Sequence, residues 1–218
     1  MDKNILKQYH KKDSIEVGLD EAGRGCLFGP VCVAGVIWLS EDPENSMVIK
    51  DSKKCSEKYR LKCYDYIKEN AIDYSIQTID HETIDKENIL KCSLDGMHLC
   101  LDELSERNKF TSILVDGNHF YSYYSKEQDD FIENECIIKG DNIYKSIAAA
   151  SILAKTFRDN YILELVEQYP ELKKYGIEKN KGYGTKQHME AIKEYGITQW
   201  HRTSFAPCKG LTVNQMKE

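Results

Sequence analysis

The chain has 218 residues, 41% hydrophobic and 30% charged, with a formal net charge of −6. That length can bury a full core as one domain, and the acidic balance excludes a protein that coats nucleic acid through bulk positive charge. No apolar run approaches the roughly 20 residues of a membrane helix, and Met1 to Lys7 lacks the apolar segment of a secretory signal, so a cytoplasmic protein with no membrane partner is expected.

Residues 1 to 13 are polar and read as a short helix or loose arm. Ile15, Val17 and Leu19 alternate with polar or small neighbours, the period of a strand, which Asp20 is expected to end. The nearly unbroken apolar run Val31 to Leu39 reads as a second strand covered on both faces, antiparallel to the first because the connection is short. After a polar loop from Ser40 to Ser46 with Pro43, Ser56 is placed to cap a helix reaching about Glu69. Ala71 to Ile79 alternates as a third strand, and Thr83 to Ser105 carries apolar residues at helical spacing along one side.

Ser112 to Val115 reads as a strand ending at Asp116, and Cys136 to Ile138 as a short one leading to Asp141 after a polar excursion from Asn118 to Glu135. The small residues of Ser146 to Lys155 suit a helix packed closely on a sheet and continuing towards Tyr169. A Gly-rich loop, a helix from Lys186 to Tyr195 and a tail containing Trp200 to Phe205 follow. The pattern predicts an α/β fold whose mixed sheet is antiparallel at one edge and parallel at the other, flanked by helices. A single domain over 1–218 is expected, with a small helical C-terminal part from about residue 170.

Eight cysteines stand mostly in apolar or helical contexts, which favours reduced structural thiols. Two basic islands interrupt the acidic chain: Lys50 to Lys62 and Lys179 to Gly210 each hold six basic residues against two acidic ones, fitting phosphate contacts at chosen places. Asp20, Asp116 and Asp141 each follow a predicted strand, where open α/β sheets place ligand sites. With Glu21 they would form a repulsive cluster that cations relieve. Oxygen-only donors select Mg²⁺ or Mn²⁺, and two such ions can drive phosphodiester hydrolysis. For both acids to serve one site the strand would have to break at Glu21, since neighbours in a strand face opposite ways.

Asp20-Glu-Ala-Gly-Arg-Gly25 with Gly29-Pro-Val, Asp51-Ser-Lys53, Asn88-Ile-Leu, Val115-Asp-Gly117, Lys139-Gly-Asp141, Ser146 to Lys155, Arg158-Asp159, Lys181-Gly-Tyr-Gly-Thr185, His188 and His201-Arg-Thr-Ser-Phe-Ala-Pro207 together resemble ribonuclease HII. The ordered set spans residues 14 to 207, with Cys26, Phe28 and Cys92-Ser93 as departures; Cys26 after the Gly-Arg-Gly turn sets it apart from the sister type HIII. The resemblance implies a ribonuclease H-like fold. It also implies a two-metal endonuclease acting on RNA–DNA hybrids and on DNA duplexes with embedded ribonucleotides, and a monomer is expected.

By motif, the resemblance makes Asp20, Glu21, Asp116 and Asp141 the catalytic metal ligands. Gly23, Arg24 and Gly25 would sense the ribose 2′-hydroxyl, Tyr183 the ribose-to-deoxyribose junction, and Ser52 and Lys53 the phosphates. Lys155, Lys181, Arg202 and Ser204 are weaker candidates for the nucleic-acid backbone, and His188 and His201 carry no assigned role.

Overall fold

The computed structural model describes residues 6–38 and 47–216; Leu39 and the expected loop from Ser40 to Ser46 lie outside them. The chain divides into two compact units, Met1–Ala22, Val33–Gln77 and Leu94–Thr156 forming one, Gly23–Cys32, Thr78–Ser93 and Phe157–Glu218 the other.

The first unit is built on a sheet of β1 (Glu16–Ala22), β2 (Val31–Ile37, from Val33 on), β3 (Asp73–Ile79), β4 (Ser112–Asp116), β5 (Tyr123–Ser125) and β6 (Asp130–Ile137), in the order β3-β2-β1-β4-β6-β5. β1, β4 and β6 are parallel, with Leu19 beside Val115 and Asp116 beside Ile137, and β5 closes the edge antiparallel to β6. Helix α1 (Glu57–Asn70) starts at Ser56, whose hydroxyl accepts from the Tyr59 amide as the sequence predicts.

Alternation along β1 sorts its side chains. Val17 and Leu19 join Leu94, Met97, Leu101 and Leu104 of helix α3 (Ile89–Ser105) on one face. On the other, Ala22 packs with Ala148, Ala149 and Ile152 of helix α4 (Lys145–Gln168). Gly18 shares that face: a Cβ there would lie 2.4 Å from the Ile147 amide nitrogen, so the absent side chain lets α4 approach the strand backbone to backbone. Asp20, two residues on, faces the same way.

In the second unit Leu27, Phe28, Ile162, Leu165, Leu172, Tyr175, Ile177, Ala191 and Ile192 form one core. They are contributed by the start of the unit, the later turns of α4, the 3-10 turn Pro170–Tyr175, a short helix α5 (Ile177–Asn180) and α6 (Lys186–Tyr195). A satellite cluster of Val31, Ile84 and Cys92 lies under α2 (His81–Glu87).

Four expectations are corrected. β1 runs on through Glu21 to Ala22. The expected helix Thr83 to Ser105 is two helices, because Asn88 takes φ 71°, closing α2 through its amide on Ile84 while its side chain accepts from Lys91 at the start of α3. The excursion after Asn118 contains β5 and most of β6. Residues 6–13 form a turn and a bridge from Lys7 to Tyr144, not a helix. All eight cysteines are free thiols, and among the described residues no helix is long and apolar enough to cross a membrane.

Candidate functional site

Parallel register brings the ends of β1 and β4 level, so Asp20 and Asp116, each one residue beyond the paired Leu19 and Val115, stand side by side. Asp141 follows β6 in a short 3-10 turn, Gly140–Asn142, entered through Lys139 at φ 58°. The Gly140 amide donates to Asp116 Oδ1 at 2.7 Å, tying the turn to the neighbouring strand. Asp20 and Asp141 are 5% and 3% exposed, a depth at which an ionised carboxylate requires compensation.

Burial, then the charges of Glu21 and Asp116, hold the Asp20 carboxyl well above the usual carboxylate range. Burial and then Asp141 raise Asp116. Repulsion therefore runs from Glu21 through Asp20 and Asp116 to Asp141, linking the four acids expected from the sequence. They are not gathered as tightly as expected: among the described residues no three His, Cys, Asp or Glu side chains are grouped so as to hold one ion. The uninterrupted strand is one cause, since Glu21 alternates away from Asp20. The donor set itself, oxygen-only and mutually repelling, fits a hard divalent cation.

Beside this row lies the turn Ser52–Lys54, capped by Asp51, whose carboxylate accepts from the Lys53 amide. Lys53 is exposed, with Nζ 3.8 Å from Asp141 Oδ2. Ser52 is 3% exposed and its hydroxyl lies 2.9 Å from that of Ser151, so its side chain faces inward and not toward a phosphate.

The Gly-Arg-Gly turn belongs to the second unit. Gly23 has φ 94°, and a Cβ there would lie 2.1 Å from Arg158 Nε, so both conformation and packing require glycine. Arg158 is fully buried and donates to the carbonyls of Pro30 (2.8 Å), Lys181 (2.7 Å) and Phe28 (2.8 Å). Arg202, also fully buried, donates to the carbonyls of Gly29 and Arg24, each at 3.0 Å. That burial withdraws Arg202 from a backbone contact. Ser204 is likewise engaged within the unit, its hydroxyl and amide both donating to Asp85. Arg24 itself is exposed.

Tyr183 pairs with Cys26 through an isolated bridge, its ring centre 6.0 Å from the Arg158 guanidinium carbon. Burial pushes its phenol up to about 12, so it stays a neutral donor and acceptor. Behind it lies a buried imidazole relay whose tautomers follow from its ends. The Thr198 amide donates to His201 Nδ1 at 2.9 Å, so His201 carries its proton on Nε2. That Nε2–H donates to His188 Nε2 at 3.0 Å, and His188 Nδ1–H donates to the Tyr183 carbonyl at 2.9 Å.

Comparison with known proteins gives this arrangement a context. A model of the family described as ribonuclease HII matches residues 17–208. The chain belongs to the ribonuclease HII family. The ribonuclease HII of Bacteroides thetaiotaomicron is 45% identical over 201 residues, covering 92% of this chain and 94% of the relative. The ribonuclease H2 of Pyrococcus horikoshii superposes with a TM-score of 0.71 at 24% identity, covering 88% of this chain and 94% of that one, which supports the fold. The ribonuclease HII of Archaeoglobus fulgidus, solved in complex with PCNA, gives 0.68 at 28% identity, over 86% and 92%. The mixed sheet flanked by helices is thus the ribonuclease H-like fold.

Three residues that support the site carry no role in the sequence. Ser151 sits in a run of small residues that reads as helix packing. Asn142 has no assigned reading, and Arg158 stands only as part of a motif. Only the motif Arg158-Asp159 hinted that the arginine had a fixed place.

Proposed function

We propose that this chain is a divalent-metal-dependent endoribonuclease that cleaves the RNA strand of RNA–DNA hybrids and nicks DNA duplexes 5′ of a single embedded ribonucleotide. Family membership supports a nuclease. The observation that carries the metal-dependent reading is the run of repulsion from Glu21 to Asp141 at the ends of parallel strands, with a buried carboxyl at its centre. Binding alone would not require so repulsive a row.

Asp20, Glu21, Asp116 and Asp141 would hold Mg²⁺ or Mn²⁺, two ions during catalysis. Such ions, when bound, activate a water as nucleophile and neutralise charge on the leaving 3′ oxygen. Products would end in a 3′-hydroxyl and a 5′-phosphate. Lys53, exposed and cationic, is suited to a phosphate, and the Ser52 turn presents it.

The Gly23–Gly25 turn, with Arg24, reads the ribose 2′-hydroxyl, a group that both donates and accepts. Gly25 supports close approach by a ligand: its φ is not positive, and a Cβ there would meet nothing within 4 Å. Tyr183 checks the sugar at the junction. The chain acts as one catalytic domain, as a monomer in the cytoplasm.

A DNA duplex with one central ribonucleotide, compared with an all-RNA/DNA hybrid, tests this. With Mg²⁺ or Mn²⁺ the single-ribonucleotide duplex is nicked, EDTA stops the reaction, and Asp116→Asn abolishes it. Cleavage of long hybrids alone overturns the single-ribonucleotide activity; binding without cleavage points to an adaptor that has lost catalysis.

A further inference from the structure

The turn that carries Lys53 is hydrogen-bonded to both ends of the strand-end aspartate row. At one end the hydroxyls of Ser52 and Ser151 are 2.9 Å apart in a buried contact, and Ser151 is in turn hydrogen-bonded to the Asp20 carboxyl. As a ligand to a cation Asp20 would be ionised and would only accept, so Ser151 would direct its single proton to Asp20 and Ser52 would be the donor to Ser151. At the other end Asn142 Nδ2 donates to Asp51 Oδ2 at 3.2 Å and to Asp141 Oδ1 at 2.8 Å, using both protons of one amide. Lys54 Nζ closes on Asn142 Oδ1 and stands 3.9 Å from Asp51.

We propose that the Asp51–Lys54 turn is a brace for the carboxylate row, in which Ser151 and Asn142 are positioning residues that hold Asp20 and Asp141 ready for the cation. The inference rests on the metal-dependent reading above. Groups that hydrogen-bond a metal ligand fix its orientation and its basicity. Here they also link the ligands to the turn that meets the nucleic acid. Ser52, buried under this turn, acts through Ser151.

The test is Mn²⁺ binding to the metal-free full chain without nucleic acid, followed by the electron paramagnetic resonance signal of free Mn²⁺, with folding checked by thermal melting. Ser151→Ala is expected to weaken Mn²⁺ binding about 10-fold, the low end for loss of such a supporting contact. Ser151→Thr, which keeps the hydroxyl, restores it. Ser52→Ala weakens binding less, and the Ser52→Ala/Ser151→Ala double variant is no weaker than Ser151→Ala alone, because Ser52 acts through Ser151.

Ser105→Ala, which removes a buried hydroxyl bonded to the Asp102 carbonyl, leaves affinity unchanged. Wild-type affinity in a folded Ser151→Ala protein, or fully additive losses in the double variant, overturns the brace. If Ser151→Ala does not fold, Asn142→Ala carries the same expectation and the same refutation from the other end. A wild-type chain that binds no Mn²⁺, or an Asp116→Asn variant that binds it as tightly as wild type, refutes the metal-dependent reading itself.

Discussion

Replacing Arg158 by methionine removes a guanidinium that fills a fully buried place and donates to three main-chain carbonyls, those of Phe28, Pro30 and Lys181. Methionine matches much of the aliphatic stem but offers no donor. A buried polar group left without a partner costs about 1–3 kcal/mol, so three carbonyls at the lower figure give ~3 kcal/mol. For a chain of this size each kcal/mol moves the melting temperature by about 2–4 °C, which predicts a fall of roughly 6–12 °C. Arg158→Lys, one ammonium facing three divergent carbonyls, falls between wild type and Met. Thermal unfolding followed by circular dichroism, supported by urea midpoints, measures both. A fall of less than about 2 °C in Arg158→Met would refute the anchoring role, since the carbonyls would then be satisfied by other means.

Acid should unfold the protein partly through the imidazole relay. Burial, and then the neighbouring His188, lowers His201 to about 3 from the ordinary imidazole value near 6.5, and burial also lowers His188. A depressed imidazole favours the folded state above the unfolded value and loses that contribution as pH falls from about 6.5 towards 3, at up to ~1.4 kcal/mol per unit. Urea midpoints measured downward from pH 7 should show a smaller slope in His201→Gln than in wild type, and equal slopes would remove His201 from the effect. Gly18→Ala forces a methyl to within 2.4 Å of the Ile147 amide nitrogen, and overpacking of this kind costs about 1–3 kcal/mol. An unchanged urea midpoint in Gly18→Ala would show that α4 is not held that close.

The alternation of Val17 and Leu19 was enough to place Asp20 near the end of a strand, and the helical connection ahead of Ser112 was enough to make β4 parallel to β1. The fate of Glu21 was not legible, because the glycines after it make a break plausible two residues earlier than the chain makes it. Periodicity also hid Asn88: the apolar stripe continues across it, while the positive φ that separates two helices leaves no mark on that stripe. The β5–β6 hairpin was obscured by position, since a sheet edge with an exposed face tolerates polar residues such as Asp130, Glu133 and Glu135. Inward-facing Ser52 looked like a phosphate contact because sequence does not report which way a hydroxyl turns. The four acids were named from pattern and family likeness, but their spacing in the fold depends on strand faces and on partners far along the chain.

The two buried arginines of the second unit make hydrogen bonds to main-chain oxygens, a group every residue type possesses. Their hold on residues 24 to 30 and on Lys181 is therefore indifferent to side-chain identity at the receiving positions. The bond from Arg158 to the Phe28 carbonyl does not depend on that side chain, so what fixes Phe28 is its place in the core of the second unit. Among the accepting residues tolerance differs: Arg24 is exposed, whereas Gly29 has φ 77° and a Cβ there would lie 2.7 Å from Ile162 Cδ1. A library that randomises exposed Arg24 should retain far more folded members than one that randomises Arg158 and Arg202.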